Sequence, residues 1–95
     1  MTRIVVQELE WNAHNRQHIR KHGVTELEVE IAGYKQIYHK RTYKGRYLLI
    51  GRSEKRLIAV VIRRLGPKRY HVVTARDASK KERRRVYEKE KKQNS

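Results

Sequence analysis

Apolar residues recur along this chain in two rhythms, and the change between them divides it. From residue 36 onward they come in short β-branched and aliphatic runs: Gln36–Tyr38, Arg46–Gly51 (RYLLIG), Arg56–Leu65 (RLIAVVIRRL) and Arg69–Ala75 (RYHVVTA). These runs predict four strands. Lys44-Gly45, Ser53-Glu54-Lys55 and Gly66-Pro67-Lys68 separate them as turns, and links this short favour an antiparallel meander. Arg3–Leu9 (RIVVQEL) predicts one more strand at the start. Asn12 is a good N-cap for a helix ending at Gly23. Thr25 with Glu28 forms a capping box for a second helix, with Leu27 and Ile31 on one face and Gly33 as its end. A second box, Ser79 with Glu82, starts a last helix through about Lys89, followed by a frayed tail over residues 90–95. The order is β-α-α-β-β-β-β-α. It predicts an α+β fold with the helices on one side of a mainly antiparallel sheet.

Ninety-five residues suffice for a single domain, residues 1–95. The chain has no cysteine, which removes disulfides and thiolate chemistry. It has no apolar run of the roughly 18 residues a membrane span needs, and no signal-peptide pattern, so a cytoplasmic protein without a membrane partner is expected.

Charge changes the picture more than length does. Residues 1–39 hold five basic and five acidic side chains; residues 40–95 hold twenty basic and five acidic ones and carry the whole net charge of +15. Charge concentrated in this way attracts a phosphate backbone by Coulomb force and counterion release. RNA is the expected partner.

The candidates for contacting it are Tyr47, Arg52, Arg63, Arg64, Arg69, His71 and Arg76 along the strands, and Lys80, Lys81, Arg83, Arg84, Arg85 and Tyr87 on the last helix. Arginine offers a rigid fork of donors matched to phosphate oxygens. Tyrosine stacks on a base or brings a hydroxyl to a scissile bond. Alternation places Arg69 and His71 on one strand face and Tyr70 and Val72 on the other. Three consecutive arginines, Arg83 to Arg85, point about 100° apart and cannot all line one site. Such a surface suits RNA cleavage without a metal ion: a 2′-hydroxyl attacks the adjacent phosphate and cations stabilise the added charge. Glu82, His71 and Tyr87 are the candidates for moving protons, in an order the residues leave open.

His14, His18 and His22 recur every fourth residue along the first helix, but no cysteine or nearby acid completes a metal site, and none is expected. Trp11, just before the helix cap, reads as a staple packing helix on sheet rather than a base-stacking platform.

Three motifs in order resemble the BrnT toxins: Trp11-Asn12 leading through Lys21-His22-Gly23-Val24-Thr25, then Arg46–Gly51, then Ala75-Arg76-Asp77-Ala78-Ser79-Lys80-Lys81-Glu82-Arg83-Arg84. The chain departs from that pattern at Asn12, where the family usually has aspartate, and at Lys55, where a glycine is usual. Tyr87 stands one residue later than the family's tyrosine. The resemblance implies a RelE-like fold and a ribonuclease toxin of a type II toxin–antitoxin system, without cofactor. It would cut mRNA, on the ribosome or off it, inhibiting translation and growth, and be neutralised by a DNA-binding antitoxin. By the same resemblance Arg76 and Arg52 would contact the scissile phosphate, and Tyr87 would be the C-terminal tyrosine. The composition alone equally fits a non-catalytic RNA-binding module, such as a ribosome-associated protein.

Overall fold

The computed structural model describes residues 4–54 and 56–93; the expectations placed on Arg3, Lys55 and residues 94–95 lie outside the described residues. The elements are β1 (Glu8–Glu10), α1 (Ala13–Lys21), α2 (Glu26–Tyr34), β2 (Gln36–Arg41), β3 (Arg46–Ser53), β4 (Arg56–Gly66), β5 (Arg69–Asp77) and α3 (Lys80–Gln93). They form one five-stranded sheet of order β1-β5-β4-β3-β2. β2 to β5 make the antiparallel meander, and β1 adds in parallel beside β5. The fold is α+β with a mostly antiparallel sheet, as the element order predicts.

Local hydrogen bonds set the helix starts. Asn12 caps α1 and Asn15 returns the bond, a box closed by two asparagines. Thr25 and Glu28 close the box of α2. Ser79 and Glu82 do the same for α3: the Ser79 N–H donates to Glu82 Oε1 at 2.8 Å and the Glu82 N–H to Ser79 Oγ at 3.2 Å. Each box satisfies N–H groups that a helix start leaves without partners.

Several boundaries differ from the sequence reading. The first strand is only Glu8–Glu10, because Ile4 and Val6 turn into the core instead of pairing. α2 runs through Gly33 to Tyr34, and β2 extends to Arg41. α3 continues through Gln93, so Lys91 and Lys92 are helical rather than part of a tail.

The helices do not share one side of the sheet. Alternation along β3 and β4 sends Leu49, Ile58, Val60 and Ile62 to one face, where they pack with Ile19 of α1 and Val29 and Ala32 of α2. It sends Leu48, Ile50, Leu57 and Ala59 to the other, where they meet Ala78 and Val86 of α3. Strands buried on both faces read as continuous apolar runs, and Leu57–Ile62 is such a run. Leu27 and Ile31 do lie along one face of α2, but Leu27 points outward, 65 % exposed, while Val29 and Ala32 are buried.

α3 is the least apolar of the three attachments. Val86 is fully buried beneath it, a contribution of about 1.5–3 kcal/mol. Around that contact runs a ring of polar links: Arg76 with Glu82, Arg52 with Glu90, Arg83 with Asp77, and Arg85 with the Tyr38 hydroxyl.

Candidate active site and nucleic-acid interface

The α3 face of the sheet collects most of the arginines singled out by sequence, and an irregularity in β5 decides which. Val61 pairs with Thr74 but Ile62 pairs with Val72, so Val73 is an extra residue, a β-bulge. Strict alternation would put residues 71 and 76 on opposite faces. The bulge reverses the phase: Tyr70, Val72 and Ala75 all enter the α1/α2 core, while His71 and Arg76 both fall on the α3 face. Arg76 stands opposite Ala59, and His71 opposite Arg63.

Under the first turn of α3, Arg76 and Glu82 form a two-pronged ion pair, Nη1 to Oε1 at 2.7 Å and Nη2 to Oε2 at 2.9 Å. Arg76 Nη1 also donates to the Asp77 carbonyl at 3.3 Å. These bonds use the end of the guanidinium. The side fork, Nε–H with the remaining Nη2–H, makes no hydrogen bond to a described residue, and Arg76 is 43 % exposed. That edge presents two parallel donors, the geometry that fits two phosphate oxygens.

Glu82 is saturated. Its carboxylate takes both Arg76 bonds and the Ser79 N–H. Burial pushes its carboxyl up, but those hydrogen bonds and the adjacent positive charge outweigh burial and hold it below the usual carboxylate range. A carboxylate so occupied is poorly suited to carry a proton; it orients Arg76 and ties that orientation to the start of the helix.

Arg83, Tyr87 and Glu90, at i, i+4 and i+7, share one flank of α3. That flank faces the β3–β4 end, and Arg52, Arg56, Leu57, Arg83 and Tyr87 line a cleft of about 260 Å³ there. Tyr87 and Arg52 therefore line the same cleft. Arg52 Nη2 holds Glu90 at 2.9 and 3.1 Å, and Arg83 holds Asp77 at 2.5 Å. Pairs as exposed as Arg52–Glu90 are worth only about 0–1 kcal/mol, so a phosphate can displace Glu90. Arg85 leaves the opposite flank for the Tyr38 hydroxyl at 3.2 Å. Lys80 and Arg84 are exposed, with no ion pair among the described residues.

His71 lies elsewhere on the same face. Four residues of strand, one of them the bulge, separate it from Arg76, about 13 Å. Its neighbours are Arg63 across β4 and Glu10 across β1. Arg69 holds Glu10 in a short contact and Glu8 at 3.3 Å. Burial, then the Arg63 charge, lower the His71 imidazole from its ordinary value of 6.5; Glu10 opposes and His14 adds slightly. The fold thus prefers the neutral ring. A lowered pKa gives a contribution to stability that is complete above the unfolded value and is lost as pH falls below it. Wild type is expected to lose more unfolding free energy than His71→Gln between about pH 7.5 and pH 5.5, read by urea titration at each pH; equal losses would contradict this environment.

Tyr47 is placed on the other face. Its ring meets Tyr70 edge-on at 6.3 Å and packs on the α1/α2 core, away from Arg63 and His71. Trp11 packs on the same core, as a staple would. Along α1, His14 stacks on His18 with ring centroids 6.3 Å apart, and His18 meets His22 edge-on at 5.4 Å. Among the described residues no group of three or more His, Asp and Glu is arranged to hold a metal ion, and no helix is long and apolar enough to cross a membrane.

The sequence reading missed Arg46 and Arg56, and the carboxylates Glu90 and Glu10 that hold Arg52 and Arg69. Arg56 bonds Glu28 of α2 at 2.9 Å through two nitrogens and the Gly23 carbonyl at 2.7 Å, which makes it a brace between α2 and the sheet. Capping boxes marked Glu28 and Glu82 in the sequence; nothing local marked Glu90 or Glu10.

No protein-family model and no curated protein matches the chain. Among solved structures, the 1.1 Å crystal structure of the Brucella abortus ribonuclease toxin BrnT is similar, with 26 % sequence identity and a TM-score of 0.62 over 77 % of this chain and 97 % of that one. With its five-stranded sheet and three helices, the chain is similar in fold to this BrnT toxin.

Proposed function

We propose that this chain is the ribonuclease toxin of a type II toxin–antitoxin pair, a cytoplasmic endoribonuclease that cuts mRNA without a metal ion. The observation that carries the reading is the open fork of Arg76, held in place by Glu82 on a strongly basic face; the likeness to a ribonuclease toxin supports it. The scissile phosphate would sit on that fork. A 2′-hydroxyl attacks the phosphorus, its proton leaves to a base, and the 5′-oxygen departs with a proton from an acid. Products are a 2′,3′-cyclic phosphate and a 5′-hydroxyl. Arg76, with Arg52 beside the cleft, offsets the charge added in the transition state. Proton transfer falls to Tyr87: Glu82 is committed to Arg76, and His71, about 13 Å along the sheet, is out of reach of the same phosphate.

The neutralising partner would be a DNA-binding antitoxin. An acidic segment laid over the basic face would mask Arg76 and speed encounter by opposite charge. Purified protein is expected to cleave unstructured RNA in EDTA, leaving cyclic-phosphate ends, and induced expression to arrest growth. Binding without cleavage in that assay would leave an RNA-binding module instead. Tyr87→Phe, assayed across pH, tests this: cleavage is expected to fall by about 10²–10⁴-fold, and a wild-type rate would remove the role.

A further inference from the structure

We infer that the open end of the α3 face holds a second phosphate site, made by Arg46 and Arg63 beside His71, so that the substrate is an RNA strand several nucleotides long bound through its backbone. The inference rests on the ribonuclease reading and extends it to a new place on the sheet. Five arginines lie on this face: Arg46, Arg52, Arg63, Arg69 and Arg76. Three have carboxylate partners, Glu90 for Arg52, Glu8 and Glu10 for Arg69, and Glu82 for Arg76. Arg46 and Arg63 have none among the described residues, and they stand directly opposite each other in the β3–β4 ladder. His71 is opposite Arg63 on the next strand, so the three form one row across β3, β4 and β5, about 10 Å wide at ordinary strand spacing.

Like charges facing each other across a ladder destabilise a sheet. Here no acid relieves them: Glu10, which continues the row beyond His71, is tied to Arg69. A bound anion would remove that repulsion, and two adjacent guanidinium forks suit a phosphate. The row lies four residues along β4 from Ala59, the partner of Arg76, about 13 Å away. One phosphate cannot reach both places; a polymer with repeating phosphates can. Between them the paired floor residues are Val61 and Thr74, and Tyr47 faces away, so among the described residues no tyrosine or tryptophan offers a platform for bases between the two places. Recognition at this end would be of backbone rather than base, and tolerant of sequence.

The test uses the full chain and 2′-O-methyl uridine oligomers, which cannot be cut, two and eight nucleotides long, with affinity read by anisotropy across a salt series. In R46Q/R63Q the eight-mer should lose most of its advantage over the dimer. Its slope of log affinity against log salt should shrink by about 1.4, two contacts at about 0.7 each on a single strand. Thermal melting without RNA should show the variant at least as stable as wild type, which separates lost binding from lost fold. An eight-mer affinity and slope equal to wild type would overturn the site. So would an unchanged RNA slope with lost binding of a poly-glutamate peptide, which would assign the row to an acidic protein partner. Cleavage of ordinary RNA by wild type, run in parallel, tells the failures apart: no binding and no cleavage overturns both readings, whereas cleavage with an indifferent double variant overturns the second site alone.

Discussion

Arg76→Ala is expected to lower kcat/KM for RNA cleavage by about 10²–10³-fold, the loss seen when one preorganised donor to a developing oxyanion is removed. The size follows from geometry. The Glu82 pair fixes the guanidinium before substrate arrives, so little reorganisation is needed at the transition state, and no other described side chain presents a fork at that point. The variant should remain folded. Glu82 keeps its bond from the Ser79 N–H, and the loss of its charged partner costs about 1–3 kcal/mol, several degrees in Tm for a chain this size. Arg76→Lys is the sharper variant: it retains the charge but not two forks, and should recover little of the activity. Cleavage rates with circular dichroism of the same samples decide the matter. Wild-type rates in folded Arg76→Ala would remove the phosphate from this place.

The second large effect concerns stability. Gly51, in the middle of β3, faces α2, and a Cβ built on it would lie 2.3 Å from the Ala32 carbonyl oxygen, 2.6 Å from its Cα and 2.8 Å from its carbonyl carbon. These are backbone atoms of a helix, so they cannot give way as a side-chain tip can. Gly51→Ala must therefore lift α2 off the sheet. That strains the Ile58–Val60 contacts beneath α2 and the Arg56 brace to Glu28 and Gly23. We expect about 3 kcal/mol of destabilisation or more, a large share of the 5–15 kcal/mol available to a domain. The urea midpoint measures it. A shift under a few tenths of a molar would mean that α2 does not lie this close to β3. Gly33, whose Cβ would meet only the flexible Leu9 Cδ1 at 3.4 Å, is free of this constraint.

What the sequence by itself determined is whatever depends on residues close along the chain. Thr25 with Glu28 and Ser79 with Glu82 are spaced three apart, and the caps they form need no tertiary partner. The meander was legible because short turns leave consecutive strands few other places to go. The segregation of charge after residue 39 was a matter of counting, and it pointed to the side of the molecule that carries Arg76. Only the tertiary structure decided the rest. Which face α3 covers depends on Val86 meeting Ile50 and Ala59, residues far apart in sequence whose run is apolar on both faces. The bulge at Val73 shows itself only in the pairing of β5 with β4, yet it turns Arg76 from the inner core to the face of His71. Arg52 and Glu90 are 38 residues apart, so no local pattern reveals that one is held and Arg46 is not. A capping box is a hydrogen bond between neighbours; the phase of a strand and the partner of an arginine are set by what packs beside them.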